Sequence, residues 1–226
     1  MSQQILRETS FLSTAHYTPK DFFIGNSSSL RHATLHEARF ASFERFTEWL
    51  GTTAPDSLLS LSFNRLHFEY DPDEPTGLYV SDAHWPELPK LRSLELHNTD
   101  PTYFRAIPYH GLRKLFISNP LRLRLSPLLD LLVTVAPSIQ AISLVQPTSG
   151  PSDYTEKYSV FSTAFVDALS RCVKLRHFES VGCYFFTLSD WRCLCASFFG
   201  SLDQLHVESR HEDVTPMLRF VYSVSL

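Results

Sequence analysis

A six-residue pattern, apolar-x-x-apolar-x-apolar, recurs seven times along this 226-residue chain. The copies begin at Leu30, Leu58, Leu91, Leu112, Ile139, Leu175 and Leu202. The clearest are Leu91-Arg-Ser-Leu94-Glu-Leu96 and Leu112-Arg-Lys-Leu115-Phe-Ile117, while Leu175-Arg-His-Phe178-Glu-Ser180 is degenerate at its last position. Each copy ends in strict alternation, the signature of a strand with one buried face. Successive copies start 28, 33, 21, 27, 36 and 27 residues apart. A unit of this kind cannot bury its apolar edges alone, so a neighbour on each side must cover them.

The segments between the copies carry helical signals. Phe40–Leu50 (FASFERFTEWL) places Phe43, Phe46 and Leu50 on one face. Ser126-Pro127 reads as an N-cap and first-turn proline opening a helix that stops before Pro137. Ser159–Cys172 aligns Phe161, Phe165, Ala168, Leu169 and Cys172, and Ser189–Phe199 aligns Trp191, Leu194, Cys195 and Phe198. Strand followed by helix, repeated, predicts a parallel sheet. Repeat periods of about 20–29 residues mark leucine-rich repeats. The expected fold is therefore α/β: a leucine-rich-repeat solenoid of about seven irregular units, with a curved parallel sheet inside and helices outside. One domain spans 1–226, with inserted loops near 69–87 and 147–158 that account for the two longest spacings. The apolar C-terminal run MLRFVYSVSL, where a polar cap is the norm, suggests truncation or a covering partner.

Alternation assigns an inner face to the third, fifth and seventh residue of each unit. Its candidate partner-binding residues are His32, His36, Asn64, Glu95, His97, Lys114, Phe116, Ser143, Val145, His177, Glu179, His206 and Glu208. The face is polar at both ends and apolar around Phe116, Ala141, Ser143 and Val145, which suits a protein-binding surface. The plainer alternative is a solvated sheet face that binds nothing.

Composition narrows the function further. A net charge of −4 disfavours nucleic-acid binding by the whole chain, and seven glycines without a glycine-rich phosphate loop give nucleotides no support. No apolar run approaches the roughly 20 residues of a membrane span. The N-terminal MSQQILRETSFL does not resemble a secretory signal, so an intracellular location, cytoplasm or nucleus, is expected. Cys172, Cys183, Cys193 and Cys195 read as buried reduced thiols rather than zinc ligands, because Cys193 and Cys195 would point apart on a helix. No Gly-x-Ser-x-Gly elbow is present. Arg113 and Lys114 with Arg122 and Arg124 form a local basic patch whose functional version is an acidic partner surface.

The phrases LPKLRSLELHNTD, GLRKLFISNP, CVKLRHFESVGC and GSLDQLHVES resemble the degenerate leucine-rich repeats of fungal F-box-type proteins. The resemblance covers roughly Leu30 to Glu208. It implies substrate recognition by the repeats of a ubiquitin-ligase adaptor. The F-box that would attach such an adaptor to the ligase has no counterpart in the first 30 residues, so attachment is not implied. The expectation is a non-catalytic protein-interaction module without metal or cofactor. The alternative is an α/β, hydrolase-like enzyme using His and Glu groups on the sheet face.

Overall fold

The computed structural model describes residues 8–12, 31–40, 42–53, 57–68, 87–104, 109, 111–119, 125–145, 162–181, 196–197, 201–208 and 222–223. Its strands form one sheet in chain order: β1 (Glu8–Leu12), β2 (His32–Phe40), β3 (Ser60–Phe68), β4 (Ser93–His97), β5 (Lys114–Ser118), β6 (Ala141–Val145), β7 (His177–Val181), β8 (Gln204–Glu208) and β9 (Tyr222–Ser223). The first eight run parallel, and β9 closes antiparallel on β8. Between them, among the described residues, lie α1 (Phe43–Thr53), α2 (Leu125–Val135), α3 (Ser162–Ser170) and a 3-10 turn, Pro101–Phe104. The fold is α/β, built on a parallel sheet.

The repeat fixes the register. Leu61, Leu94, Leu115, Ile142, Phe178 and Leu205 occupy one row across β3 to β8, and Phe63, Leu96, Ile117, Leu144, Ser180 and Val207 another. Apart from Ser180 and Val207, the residues of these rows pack with the apolar stripes of the helices in a single core. In α2, Leu128, Leu131, Leu132 and Val135 recur at three- and four-residue spacing and are all fully buried. Each such side chain contributes about 1.5–3 kcal/mol by leaving water. Just before every strand, one backbone rung repeats: the carbonyls of Arg31, Leu59, Arg92, Arg113, Gln140 and Arg176 each accept from two successive N–H groups of the next unit, at 2.7–3.0 Å.

Several details depart from the sequence reading. Phe40 ends β2 instead of starting the first helix. It packs on that helix from the sheet, its ring 5.2 Å from Phe46 and 5.6 Å from Trp49. Ser42 caps α1, its hydroxyl accepting from Arg45 N–H at 3.3 Å. The Ser42 hydroxyl, together with the backbone N–H of Glu44 itself, holds the Glu44 carboxyl below its usual range. α2 begins at Leu125, so Pro127 sits within the first turn, where its missing N–H costs nothing. The 21-residue spacing between the third and fourth copies leaves room only for the 3-10 turn, whose Phe104 enters the core 5.3 Å from Phe63. β1 and β9 were not anticipated. The inserted loops at 69–86 and 147–158 lie outside the described residues, as does the Ser189–Phe199 segment apart from Ala196 and Ser197.

Among the described residues, four other than glycine have positive φ: Glu37 (51°), Arg65 (64°), Asn98 (48°) and Asn119 (46°). Each follows the last position of the five-residue ladder, so they share one row across β2 to β5. β4 and β5 stop there. β2 and β3 continue for a second stretch, pairing Ala38 with Leu66 and Phe40 with Phe68. The Thr99 hydroxyl, fully buried, takes over where β4 ends: it accepts from Leu66 N–H at 3.2 Å and donates to the His97 carbonyl at 2.8 Å.

Candidate functional site

The sheet face opposite the helices carries three rows of side chains. The first runs His32, Ser60, Ser93, Lys114, Ala141, His177, Gln204; the middle row runs Thr34, Ser62, Glu95, Phe116, Ser143, Glu179, His206. The last runs His36, Asn64, His97, Ser118, Val145, Val181, Glu208. Every candidate binding residue read from the sequence falls in one of these rows. The side chain of Glu208 lies outside the described residues. His32, Lys114, Gln204 and His206 are exposed, and most of the others are partly exposed. Ser62 and Ser143 are buried.

Cross-strand hydrogen bonds tie the polar members together. His97 Nδ1 lies 2.9 Å from Ser118 Oγ, which fixes the ring 4.9 Å from that of Phe116. His97 Nε2 stands 3.8 Å from Glu95 Oε2, an electrostatic contact too long for a hydrogen bond. At the other end, Ser143 Oγ donates to Glu179 Oε2 at 2.5 Å, and His206 Nδ1 donates to Glu179 Oε1 at 3.1 Å. His177 Nδ1 reaches Gln204 Oε1 at 2.7 Å. Burial raises the Glu179 pKa. The hydrogen bonds from Ser143 and His206 and the nearby charges of His206 and His177 outweigh it, holding the carboxyl below its usual range.

This cluster contains a hydroxyl, a carboxylate and an imidazole, but in an order that does not activate a nucleophile. In a serine triad the hydroxyl donates to the imidazole and the carboxylate orients the ring. Here the serine donates to the carboxylate, whose lowered pKa makes it a weaker base still. The contacts hold side chains in place.

A second polar ladder runs along the strand ends; the sequence singles out its His36 and Asn64, but not Asn98 or Asn119. Asn64 Nδ2 lies 3.4 Å from His36 Nδ1, Asn98 Nδ2 donates to Asn64 Oδ1 at 3.1 Å, and Asn119 Nδ2 donates to Asn98 Oδ1. Glu37 and Arg65 form an exposed ion pair at 2.8 Å in the same zone. The sequence signal for this ladder was an asparagine one residue past the strand in LELHN and LFISN.

Among the described residues, no group of three or more His, Cys, Asp or Glu side chains is placed to hold a metal ion, and no helix is long and apolar enough to cross a membrane. Cys172 is free and fully buried, its thiol pushed up to about 12 by burial. Cys183, Cys193, Cys195, Arg122 and Arg124 lie outside the described residues. Compared with family models, curated proteins and solved structures, the chain shows no match.

Proposed function

We propose that this chain is a non-catalytic leucine-rich-repeat module, a single domain that recognises a protein partner through its open sheet face, as the substrate-holding repeats of F-box-type adaptors do. The observation that carries the reading is strand order. Every strand pairs with its sequence neighbour, from β1 to β9. An enzyme on a doubly wound sheet would instead reverse order at a switch point and bind its ligand there. The three-row face adds a half-buried aromatic, Phe116, beside valines on the last row and polar groups at both ends. Cross-strand bonds pre-order its histidines and carboxylates, which lowers the entropy lost on binding. The order of the Ser143, Glu179 and His206 contacts speaks against the hydrolase-like alternative. An intracellular setting, cytoplasm or nucleus, belongs to the same proposal.

A photo-crosslinking residue at Phe116 should capture a defined protein in cells, and one at Val133, exposed on α2, should not. Combined Phe116→Ala and Val145→Ala should then weaken that partner about tenfold or more, as loss of a central apolar anchor does. Identical capture from both positions, or unchanged affinity in the double variant, would refute the placement of the interface.

A further inference from the structure

The strand-start edge of the sheet is a second surface, distinct from the open face, and its chemistry differs. The residue after the first apolar position of each unit is Arg31, Arg92, Arg113 and Arg176 in four of seven units, with Leu59, Gln140 and Asp203 in the others. These residues form the repeated backbone rung, so the spacing of their Cα atoms is set by the sheet. Arg31, Arg113 and Arg176 are exposed. Arg92 is occupied, its Nη1 donating to the carbonyls of Pro89, Leu91 and Gly111 at 3.2–3.3 Å. Lys90 and Lys174 sit in the turns two residues earlier, both exposed.

None of these exposed cations has a carboxylate within ion-pair distance among the described residues, whose ion pairs lie elsewhere. The acids described along the same edge are Glu87 and Asp203. A chain of net charge −4 thus gathers unneutralised cations along one edge. Neighbouring strands are about 4.8 Å apart, so the row from Arg31 to Arg176 spans five steps, roughly 24 Å. That matches roughly seven residues of extended chain. Guanidinium groups pair carboxylates through two parallel hydrogen bonds, which favours arginine over lysine at such a site.

We propose that this edge docks an acidic, extended segment of a partner protein, its aspartate and glutamate side chains meeting the arginine row. A single-stranded nucleic acid is the other polyanion that fits the charge, but it needs exposed aromatic rings for its bases to stack on. The described residues of the rung and the turns before it, 31, 59, 90–92, 111–113, 140, 174–176 and 203, include no Phe, Tyr or Trp.

The test uses the full chain and three fluorescent probes: a peptide alternating glutamate and glycine, its glutamine counterpart, and a single-stranded RNA of equal charge. At 0.15 M salt the glutamate peptide should bind at least about tenfold more tightly than either of the others, and less tightly as salt rises. Arg31→Gln, Arg113→Gln and Arg176→Gln together should lower that affinity by about tenfold. A control with the same change in net charge, Arg39→Gln, Arg45→Gln and Arg65→Gln, should leave it within about twofold. Tighter binding of the RNA, equal binding of the glutamine peptide, an equal loss in the control, or no binding of the glutamate peptide would each overturn the proposal. The open face is not needed for any of these outcomes, so Phe116→Ala should leave them unchanged.

Discussion

The two halves of the sheet solve the same packing problem with different materials. Around β2 and β3 the core is aromatic: Phe46 of α1 lies 5.2–6.3 Å from the rings of Phe40, Trp49, Phe63, Phe68 and Phe104. Around β5 to β7 it is mostly aliphatic, filled from α2 by Leu128, Leu131, Leu132 and Val135 and from α3 by Phe165, Val166, Ala168 and Leu169. Among the described residues, the aromatic half has the two nine-residue strands and one α-helix; the aliphatic half has five-residue strands and two helices packed together. Rings from the strands, α1 and the 3-10 turn fill the first half, and methyl groups from two helices fill most of the second.

The strongest test of that contrast is Phe46→Ala. Removing a ring with five aromatic neighbours should destabilise by about 3–5 kcal/mol, read from denaturant unfolding. Leu131→Ala should cost about 2–5 kcal/mol, and toward the lower end, because α3 can shift into the space. In hydrogen exchange, Phe46→Ala should deprotect β2 and β3 most, and Leu131→Ala β5 and β6. Equal deprotection across the sheet from both variants would show that the halves are one cooperative unit and dissolve the comparison.

Smaller effects sharpen it within the aliphatic half. Ser180 occupies a core position between Leu144 and Val207, 1% exposed, and its hydroxyl has no hydrogen-bond partner among the described residues. Ser180→Ala should therefore stabilise by about 1 kcal/mol, since an orphaned buried hydroxyl carries an uncompensated desolvation cost; a destabilised variant would mean that the hydroxyl is satisfied. On the open side of the same strand, Glu179 has a lowered pKa in the folded chain. Its contribution is present above the unfolded carboxylate pKa and is lost as pH falls through the folded value. Wild type should exceed Glu179→Gln by at most about 1 kcal/mol near neutrality, and melts taken down to pH 3 should show the gap closing. A constant gap would remove the ionised carboxylate as its cause.

The aliphatic half was more legible in the sequence than the aromatic one, and the reason is physical. Where strands are short, the six-residue pattern covers nearly the whole ladder, so Leu115, Ile117, Ile142 and Leu144 could be placed directly. In β2 and β3 the positive-φ residues Glu37 and Arg65 shift the alternation by one place. Core-facing positions then move to Ala38 and Phe40, and to Leu66 and the partly buried Phe68, where a period of two no longer finds them. Phe40 also stands three residues before Phe43, a spacing that imitates a helix. β1 is hard to read because Thr9 stands where the pattern has its second apolar residue, although Leu6-Arg-Glu-Thr9-Ser-Phe11 otherwise repeats it. On the open face the three rows were readable from alternation alone. The bonding within them was not: nothing in the spacing says that Ser143 donates to Glu179, or that Asn98 and Asn119 continue the line from Asn64.

Because each strand pairs with the one made just before it, a growing polypeptide never has to wait for distant sequence. A ribosome emitting this chain can lay down one course upon the last, each finding its template already in place. Large closed loops, which slow the search in sheets of mixed order, do not arise. The vulnerable moment in such growth is the newest, still uncovered course, whose free edge is open to the wrong partner.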